Sequence, residues 1–188
     1  MIKFEHVETH GWDHAMRGMR NPLESWKQGD TSAQAVGPND LDLGMRLSKA
    51  GSDHAKYLRM IVVYMDITAP RHFHHQLDTY KVGSVKNFCS TMHTIHKREF
   101  TEDDFACSHG VMEHVLSTLE ELRCEYLIAK EGGHEEEARE YWSNLTGLLP
   151  QSYIQKFTWM ANYEVLKNIY HSRRNHKLQE WHDFCNMI

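Results

Sequence analysis

The residues best able to do chemistry lie in one polar stretch of the chain, from residue 76 to residue 91. Its amide, carboxylate, hydroxyl, ammonium and thiol groups belong to Gln76, Asp78, Thr79, Tyr80, Lys81, Ser84, Lys86, Asn87, Cys89, Ser90 and Thr91. Burying so many polar groups costs free energy unless they bond to the protein or to a ligand. The lysines and hydroxyls are donors suited to a phosphate, and Gly83 would let the backbone approach one closely. The stretch therefore predicts an anion-binding site, with a surface turn as the alternative.

The element that would position this stretch comes directly before it. Residues 60 to 68 form an apolar, β-branched run, which predicts a buried strand. Ala69-Pro70 should end the strand, because proline has no N–H to donate to a neighbouring strand. A strand that delivers dense polar groups to its end is the usual layout of a binding site.

Two other groups in this region suggest different chemistry. His72, His74 and His75 form H-x-H-H, which could bind zinc with a third ligand from elsewhere or could be surface or interface histidines. We favour the second reading and expect no metal. Cys89 has no histidine at an obvious partner spacing, so we interpret it as a small residue lining the site and not as a nucleophile.

Composition limits the class of protein. The 188 residues, 40% of them apolar, predict a single domain over residues 1–188. A net charge of −5 argues against binding a nucleic acid polymer, and no apolar run is long enough for a membrane span. The four scattered cysteines and the charged sequence after the first residues lead us to expect a cytoplasmic protein with reduced thiols.

Helices dominate the rest of the chain. Their apolar spacing predicts helices at residues 12–20, from a cap at Asp40 to residue 50, from a capping start at residues 101–104 to 130, from 134 to 149, from 150 to 170, and near 178–184. On the helix after Pro150, Asn162, Ile169 and Arg173 would share one face. Few strands and long helices predict an α+β protein.

The polar stretch also resembles the core of a known family, the flavin-dependent thymidylate synthases (thymidylate synthase complementing proteins). Those enzymes carry A-P, then a Gln, then R-H-R-x-x-S-x-N-E-x-S-x-R. In this chain Ala69-Pro70 and Gln76 precede Thr79-Tyr80-Lys81 for R-H-R, Ser84 for the first Ser, Lys86-Asn87 for N-E, Cys89 for the second Ser and Thr91 for the last Arg. This degenerate signature is similar to a divergent branch found in phages and Gram-positive bacteria.

A second block near the C-terminus resembles the end of the same family, and the resemblance covers roughly residues 50 to 185. Leu149-Pro150, Tyr153, Trp159, Asn162, Asn168 and Arg173 fall in register with L-P, an aromatic-rich turn, N-x-R-x-x-x-N and L-R. His176 and Glu180 match the His and Glu of H-A-Q-W-E after a one-residue deletion. His54 stands where the family keeps a flavin-contacting His. Glu164 replaces the Arg of N-x-R, and Thr146 stands where members often hold a nucleotide-binding Arg.

The resemblance implies a fold, a reaction and a set of ligands. It implies a small, mostly antiparallel central sheet packed by long helices, and a homotetramer that binds FAD and dUMP at subunit interfaces. The implied reaction passes a one-carbon unit from methylenetetrahydrofolate to the uracil ring, giving dTMP, with NADPH as reductant and no attacking cysteine. A related modification such as hydroxymethylation, or a non-catalytic nucleotide- or flavin-binding homologue, is the alternative.

The resemblance also implies two sides of one site. Candidates for the flavin side are His54, Thr79, Tyr80, Lys81, Asn162, Asn168 and His176. Candidates for the nucleotide side are Gln76, Ser84, Asn87, Cys89, Ser90, Thr91 and Arg173. Arg173 would also be catalytic, because its guanidinium could stabilise negative charge that develops on the ring.

Overall fold

The computed structural model describes residues 2–108 and 110–188. Its helices and strands are β1 (Lys3–His10), α1 (Trp12–Met19), α2 (Pro38–Lys49), β2 (Val62–Pro70), α3 (Arg71–Leu77), β3 (Ser84–Phe88), α4 (Thr91–Thr94), α5 (Glu113–Glu131), α6 (Glu135–Gly147), β4 (Ile154–Asn162), α7 (Tyr163–Arg173) and α8 (Gln179–Met187). Four short 3-10 turns lie at Asn21–Leu23, Trp26–Gln28, Ala55–Met60 and Glu102–Asp104. Within the described ranges, no helix combines the length and apolar character needed to cross a bilayer.

The strands form one four-stranded antiparallel sheet of order β1-β2-β4-β3. Along β2 the side chains of Val63, Met65 and Ile67 are buried, while the residues between them are partly or fully exposed. This alternation places one face of the strand in the core. The predicted α+β class with a small antiparallel sheet and several helices is confirmed.

The chain divides into two compact units, and the division falls inside β2, β3 and β4. The hairpin unit comprises residues 68–77 and 88–157, and the terminal unit comprises residues 2–67, 78–87 and 158–188. The single domain expected from chain length stays a prediction.

The hairpin unit is organised by two antiparallel helices. α5 and α6 are joined by a turn in which Gly133 has a φ of +74°, a value that favours glycine. Its main cluster of buried residues is Ile95, Phe105, Met112, Leu119, Leu145 and Leu149. α5 begins at Glu113 and not at the predicted capping start, because Thr101 and Asp104 cap a separate 3-10 turn.

The terminal unit holds a buried ion pair at its helical end. The side chains of Arg20 and Asp40 are 5% and 3% exposed, with Arg20 Nε 2.5 Å from Asp40 Oδ1. The predicted cap at Asp40 is wrong: α2 begins at Pro38, and the Asp30 carboxylate accepts from the N–H groups of the first turn, including that of Asp40. The Asp40 carboxylate instead accepts from the N–H groups of Asp30 and Thr31.

The long helix predicted after Pro150 is also wrong. Residues 154–162 form strand β4, and α7 begins only at Tyr163. Along β4, Phe157, Trp159 and Ala161 are buried at every second position, which is the period of a strand. As a result Asn162 is the N-cap of α7 and does not share a helix face with Arg173.

Candidate functional site

The most constrained group of predicted site residues lies in the terminal unit, around the last residue of α7. Arg173 Nε donates a hydrogen bond to the Tyr80 hydroxyl at 3.0 Å. The guanidinium carbon lies 4.9 Å from the centroid of the Trp181 ring and 5.7 Å from that of the Tyr80 ring. A cation held over two aromatic rings is stabilised by the ring quadrupoles. Two residues that the sequence assigned to opposite sides of the site are therefore bonded to each other.

Trp181 gives this cluster its rigidity. It lies in the first turn of α8 and is fully buried, as is Phe184 three residues later. Their ring centroids are 5.8 Å apart, and Phe184 also packs against the buried Trp159. Residues three apart on a helix face the same side, so α8 is held in the core by this aromatic pair. The sequence pattern marked Trp181 as apolar but gave no sign that it would hold Arg173.

His176 lies beside the same cluster, and its protonation follows from its contacts. Its Nδ1 accepts a hydrogen bond from the Leu178 N–H at 3.2 Å, so that nitrogen carries no proton. Burial lowers the pKa of the His176 imidazole, and the positive charge of Arg173 lowers it further. The neutral ring therefore holds its proton on Nε2, where it is a donor and not a cation.

The turn that carries Tyr80 is tied to the start of α7. Gly83 has a φ of +77°, and a side chain there would collide with the Asn162 amide nitrogen. The Asn162 N–H donates to the Gly83 carbonyl at 3.2 Å, and Asn162 Oδ1 accepts from the Val165 N–H at 3.1 Å. The Ser84 hydroxyl donates to the Tyr80 carbonyl at 2.5 Å, so its proton is already used. The side chains of Asn162 and Ser84 are therefore hydrogen-bonded to backbone groups of the protein.

Two lysines in this turn differ in whether their ammonium groups are available to a ligand. Lys86 Nζ lies 2.6 Å from Asp78 Oδ1, and the Lys86 side chain is 11% exposed. Burial lowers the pKa of the Lys86 ammonium, and the Asp78 carboxylate opposes that shift. Lys81 is exposed and makes no ion pair within residues 2–108 and 110–188. The cation available to an anionic ligand is therefore Lys81, and Asp78 is a structural partner that the sequence did not reveal.

The remaining candidates of the terminal unit are separate from this cluster. His54 lines a cavity of about 1070 Å³ together with residues of α1, α2 and the 3-10 turn Ala55–Met60. None of the other predicted site residues lines that cavity. Asn168 on α7 and Asn87 on β3 are exposed. This unit therefore presents two locations, one at His54 and one at Arg173.

The other nucleotide-side candidates belong to the hairpin unit. Gln76 lies in α3, and Cys89, Ser90 and Thr91 lead from β3 into α4. Cys89 is exposed, and its backbone N–H donates to the Lys156 carbonyl at 2.9 Å. The Ser90 carbonyl accepts from the Thr94 hydroxyl at 2.6 Å, which fixes the short helix.

The H-x-H-H residues take up different environments on α3. His74 is buried and packs edge-on against Phe157 and Phe88, with centroid distances of 4.7 and 5.4 Å. His72 is partly buried and His75 is exposed. Across the described residues, no three His, Cys, Asp or Glu side chains come close enough together to hold a metal ion.

One departure from the family pattern has a structural partner. Glu164, which stands in place of the Arg of N-x-R, accepts two hydrogen bonds from Arg59, at 2.6 and 3.1 Å. It also lies in the first turn of α7, where a negative charge is favoured by the helix dipole. The acidic residue thus joins α7 to the turn before β2, and its partner Arg59 was not foreseen.

Comparison with known proteins shows which solved structures share this fold. No protein-family model and no curated protein sequence matches the chain. The structure is similar to that of Thymidylate Synthase X (ThyX) from Helicobacter pylori with FAD and dUMP, with a TM-score of 0.72 at 17% identity over 99% of this chain and 90% of that chain. A second structure of flavin-dependent thymidylate synthase ThyX from Helicobacter pylori, complexed with FAD and dUMP, gives a TM-score of 0.70 at 18% identity over 97% of this chain and 91% of that chain. The expected fold is therefore confirmed over nearly the whole chain.

Proposed function

We propose that this protein is a flavin-dependent thymidylate synthase that converts dUMP to dTMP. Methylenetetrahydrofolate would supply the one-carbon unit and NADPH the reducing equivalents. The observation that carries the proposal is the environment of Arg173, which stands at the position of the nucleotide-binding Arg in the family pattern. It is partly buried and held by two aromatic rings, yet neither terminal amino group has a hydrogen-bond partner among the described residues. A guanidinium held in this way is suited to binding an anionic or carbonyl oxygen.

The side chains of the terminal unit fit a flavin nucleotide in their donor chemistry. Lys81 offers a cation to a pyrophosphate, while His176 Nε2 and the Asn162 amide nitrogen offer neutral donors. The cavity beside His54 is large enough for a sizeable ligand. Bound flavin would supply the redox chemistry that no side chain can provide. The protein's own residues would bind and orient the two ligands and stabilise charge.

A second candidate function is a homologue that binds these ligands without catalysis. It is favoured by the lost signature arginines: Thr79 and Thr91 cannot carry positive charge, and Glu164 is committed to Arg59. Measurement of dTMP formation by FAD-loaded protein with dUMP, methylenetetrahydrofolate and NADPH separates the two. Flavin retention without any product would favour the second candidate.

The four cysteines are free and three of them are exposed, which suits a reducing cytoplasm.

Lys81→Ala is expected to weaken FAD binding roughly two- to five-fold at low ionic strength, the effect of removing one exposed cation. The difference should shrink as salt is added, because salt screens the attraction between an ammonium and a phosphate. Isothermal titration calorimetry at two salt concentrations measures both effects. Lys49→Ala, an exposed lysine at the end of α2, is the matched control and should bind FAD like the wild type. Equal losses in both variants would contradict a site at Lys81.

A homotetramer is the assembly that we propose. His54 and Arg173 mark two locations in the terminal unit, and subunit interfaces would let different copies complete one site. Light scattering of the FAD-loaded protein should then give a mass near four times 22.1 kDa. A stable monomer that forms dTMP would rule out this assembly as the active form.

A further inference from the structure

The hydroxyl of Tyr80 is bonded to the guanidinium of Arg173. Tyr80 occupies the middle position of the stretch that stands for R-H-R, and its hydroxyl accepts the Nε–H of Arg173 at 3.0 Å. A guanidinium is planar, so a bond at Nε together with the position of its carbon over the Trp181 ring fixes the whole group. Its two terminal amino groups then point away from Tyr80 as a fork of parallel N–H donors.

The same contact leaves one further donor at this place. A tyrosine hydroxyl can accept from one partner while it donates its own proton to another. The hydroxyl proton of Tyr80, like the terminal amino groups of Arg173, has no acceptor within residues 2–108 and 110–188. The pair therefore presents only donors, which would be costly to leave unbonded if a ligand covered them.

We propose that Tyr80 is a positioning residue that aims the Arg173 fork at an oxygen of the substrate and adds its own hydroxyl as a further donor. The inference deepens the proposed function and rests on it. The oxygen acceptor is a carbonyl of the pyrimidine ring or an oxygen of the phosphate group, two sources with the same acceptor chemistry. In this chain Tyr80 does not carry a positive charge, as an arginine of the family signature would. It instead orients the cation of Arg173, which lies at the end of α7.

The first test needs no ligand. The Nε–H resonance of Arg173, identified by its loss in Arg173→Lys, is followed by NMR in the purified protein with no ligand added. Tyr80→Phe keeps the ring against Trp181 and removes only the hydroxyl, so the Nε–H signal should move to the position and fast water exchange of an exposed arginine such as Arg174. An unchanged Nε–H signal in Tyr80→Phe overturns the inference, whether or not the protein is a thymidylate synthase.

The second test measures affinity with three probes: dUMP, deoxyuridine and inorganic phosphate. Tyr80→Phe should weaken dUMP binding roughly ten-fold, the effect of losing hydrogen bonds that involve a charged group. Weaker deoxyuridine binding would assign the fork to the pyrimidine ring, whereas weaker phosphate binding with unchanged deoxyuridine binding would assign it to the phosphate. Tyr64→Phe is the matched control, since Tyr64 is exposed on β2 and its ring lies beside that of His10, with ring centroids 6.1 Å apart.

The outcomes separate the inference from the proposed function. If wild-type protein binds dUMP and Tyr80→Phe binds it equally well, the inference is wrong and the proposed function stands. If wild-type protein binds none of the three probes, the nucleotide part of the proposed function is wrong, and the proposal that the fork receives a substrate oxygen is wrong with it. The Nε–H signal then still decides whether Tyr80 holds Arg173.

Discussion

Arg173→Lys is expected to lower dTMP formation by roughly ten- to a thousand-fold, the usual range for removing one donor that stabilises a transition state. Lysine keeps the positive charge but loses the planar fork, the bond from Nε to Tyr80 and the contact of the guanidinium with the Trp181 ring. The helix should still form, because Arg173 is its last residue. Steady-state turnover per mole of folded protein, compared with melting temperature, measures the effect.

Arg174→Lys is the control for this substitution. Arg174 is the next residue, is exposed, and lies over the Tyr170 ring at 5.8 Å. It experiences the same helix end without contacting Tyr80, so turnover should stay near the wild-type value. A fall in melting temperature for Arg173→Lys with unchanged turnover would show that Arg173 is only a structural residue at the helix end.

Asp40→Asn is expected to lower the free energy of unfolding by about 3–5 kcal/mol. The change leaves the Arg20 guanidinium buried without its counter-charge, and it weakens the hydrogen bonds from the N–H groups of Asp30 and Thr31. Urea unfolding followed by circular dichroism measures the loss. Asp42→Asn is the matched control two residues away, because the Asp42–Arg46 pair is exposed and should change stability by no more than about 0.5 kcal/mol.

The same carboxylate predicts how stability changes with pH. Burial alone would raise the pKa of Asp40, but the hydrogen bonds from Thr31, Arg20 and the backbone outweigh it, and the pKa is lowered in the folded state. The unfolded chain therefore takes up this proton first as the pH falls. The contribution of Asp40 is fully present above about pH 5 and is lost as the pH falls through the folded pKa. The stability difference between wild type and Asp40→Asn should thus narrow in acid; a constant difference down to pH 2 would contradict it.

The sequence predicted best those elements that carry a clear local signal. The buried strand β2 and the short helix α1 were predicted within a few residues. For β2 that signal was a β-branched apolar run followed by a proline. β4 was predicted as part of a helix, since Tyr153, Phe157 and Met160 are spaced four and three residues apart, as on one helix face. The structure instead buries Phe157, Trp159 and Ala161 at every second position, because strand pairing decided the outcome. β3 was hidden by its polar side chains, which carry no strand signal.

The candidate site was predictable as a set of positions but not as a set of contacts. Tyr80 and Arg173 were both named, yet nothing in their 93-residue separation showed that the two would be bonded. Opposite charges on either side of a glycine turn could have predicted the Lys86–Asp78 pair. They could not have predicted that the Lys86 side chain is mostly buried and is therefore not available to a ligand. Hydrogen bonds between distant segments depend on packing, which a single sequence does not encode in any local pattern.

The close contact between Gly83 and Asn162 couples the movement of two segments. The Asn162 amide fills the space that a side chain would take, so the loop holding Lys81 and the first turn of α7 cannot shift independently. The far end of that helix holds Arg173. A cofactor that moves the loop and a nucleotide that moves the Arg173 guanidinium would therefore both displace α7. If binding of one ligand changes the affinity for the other, the second ligand must change the affinity for the first by the same factor.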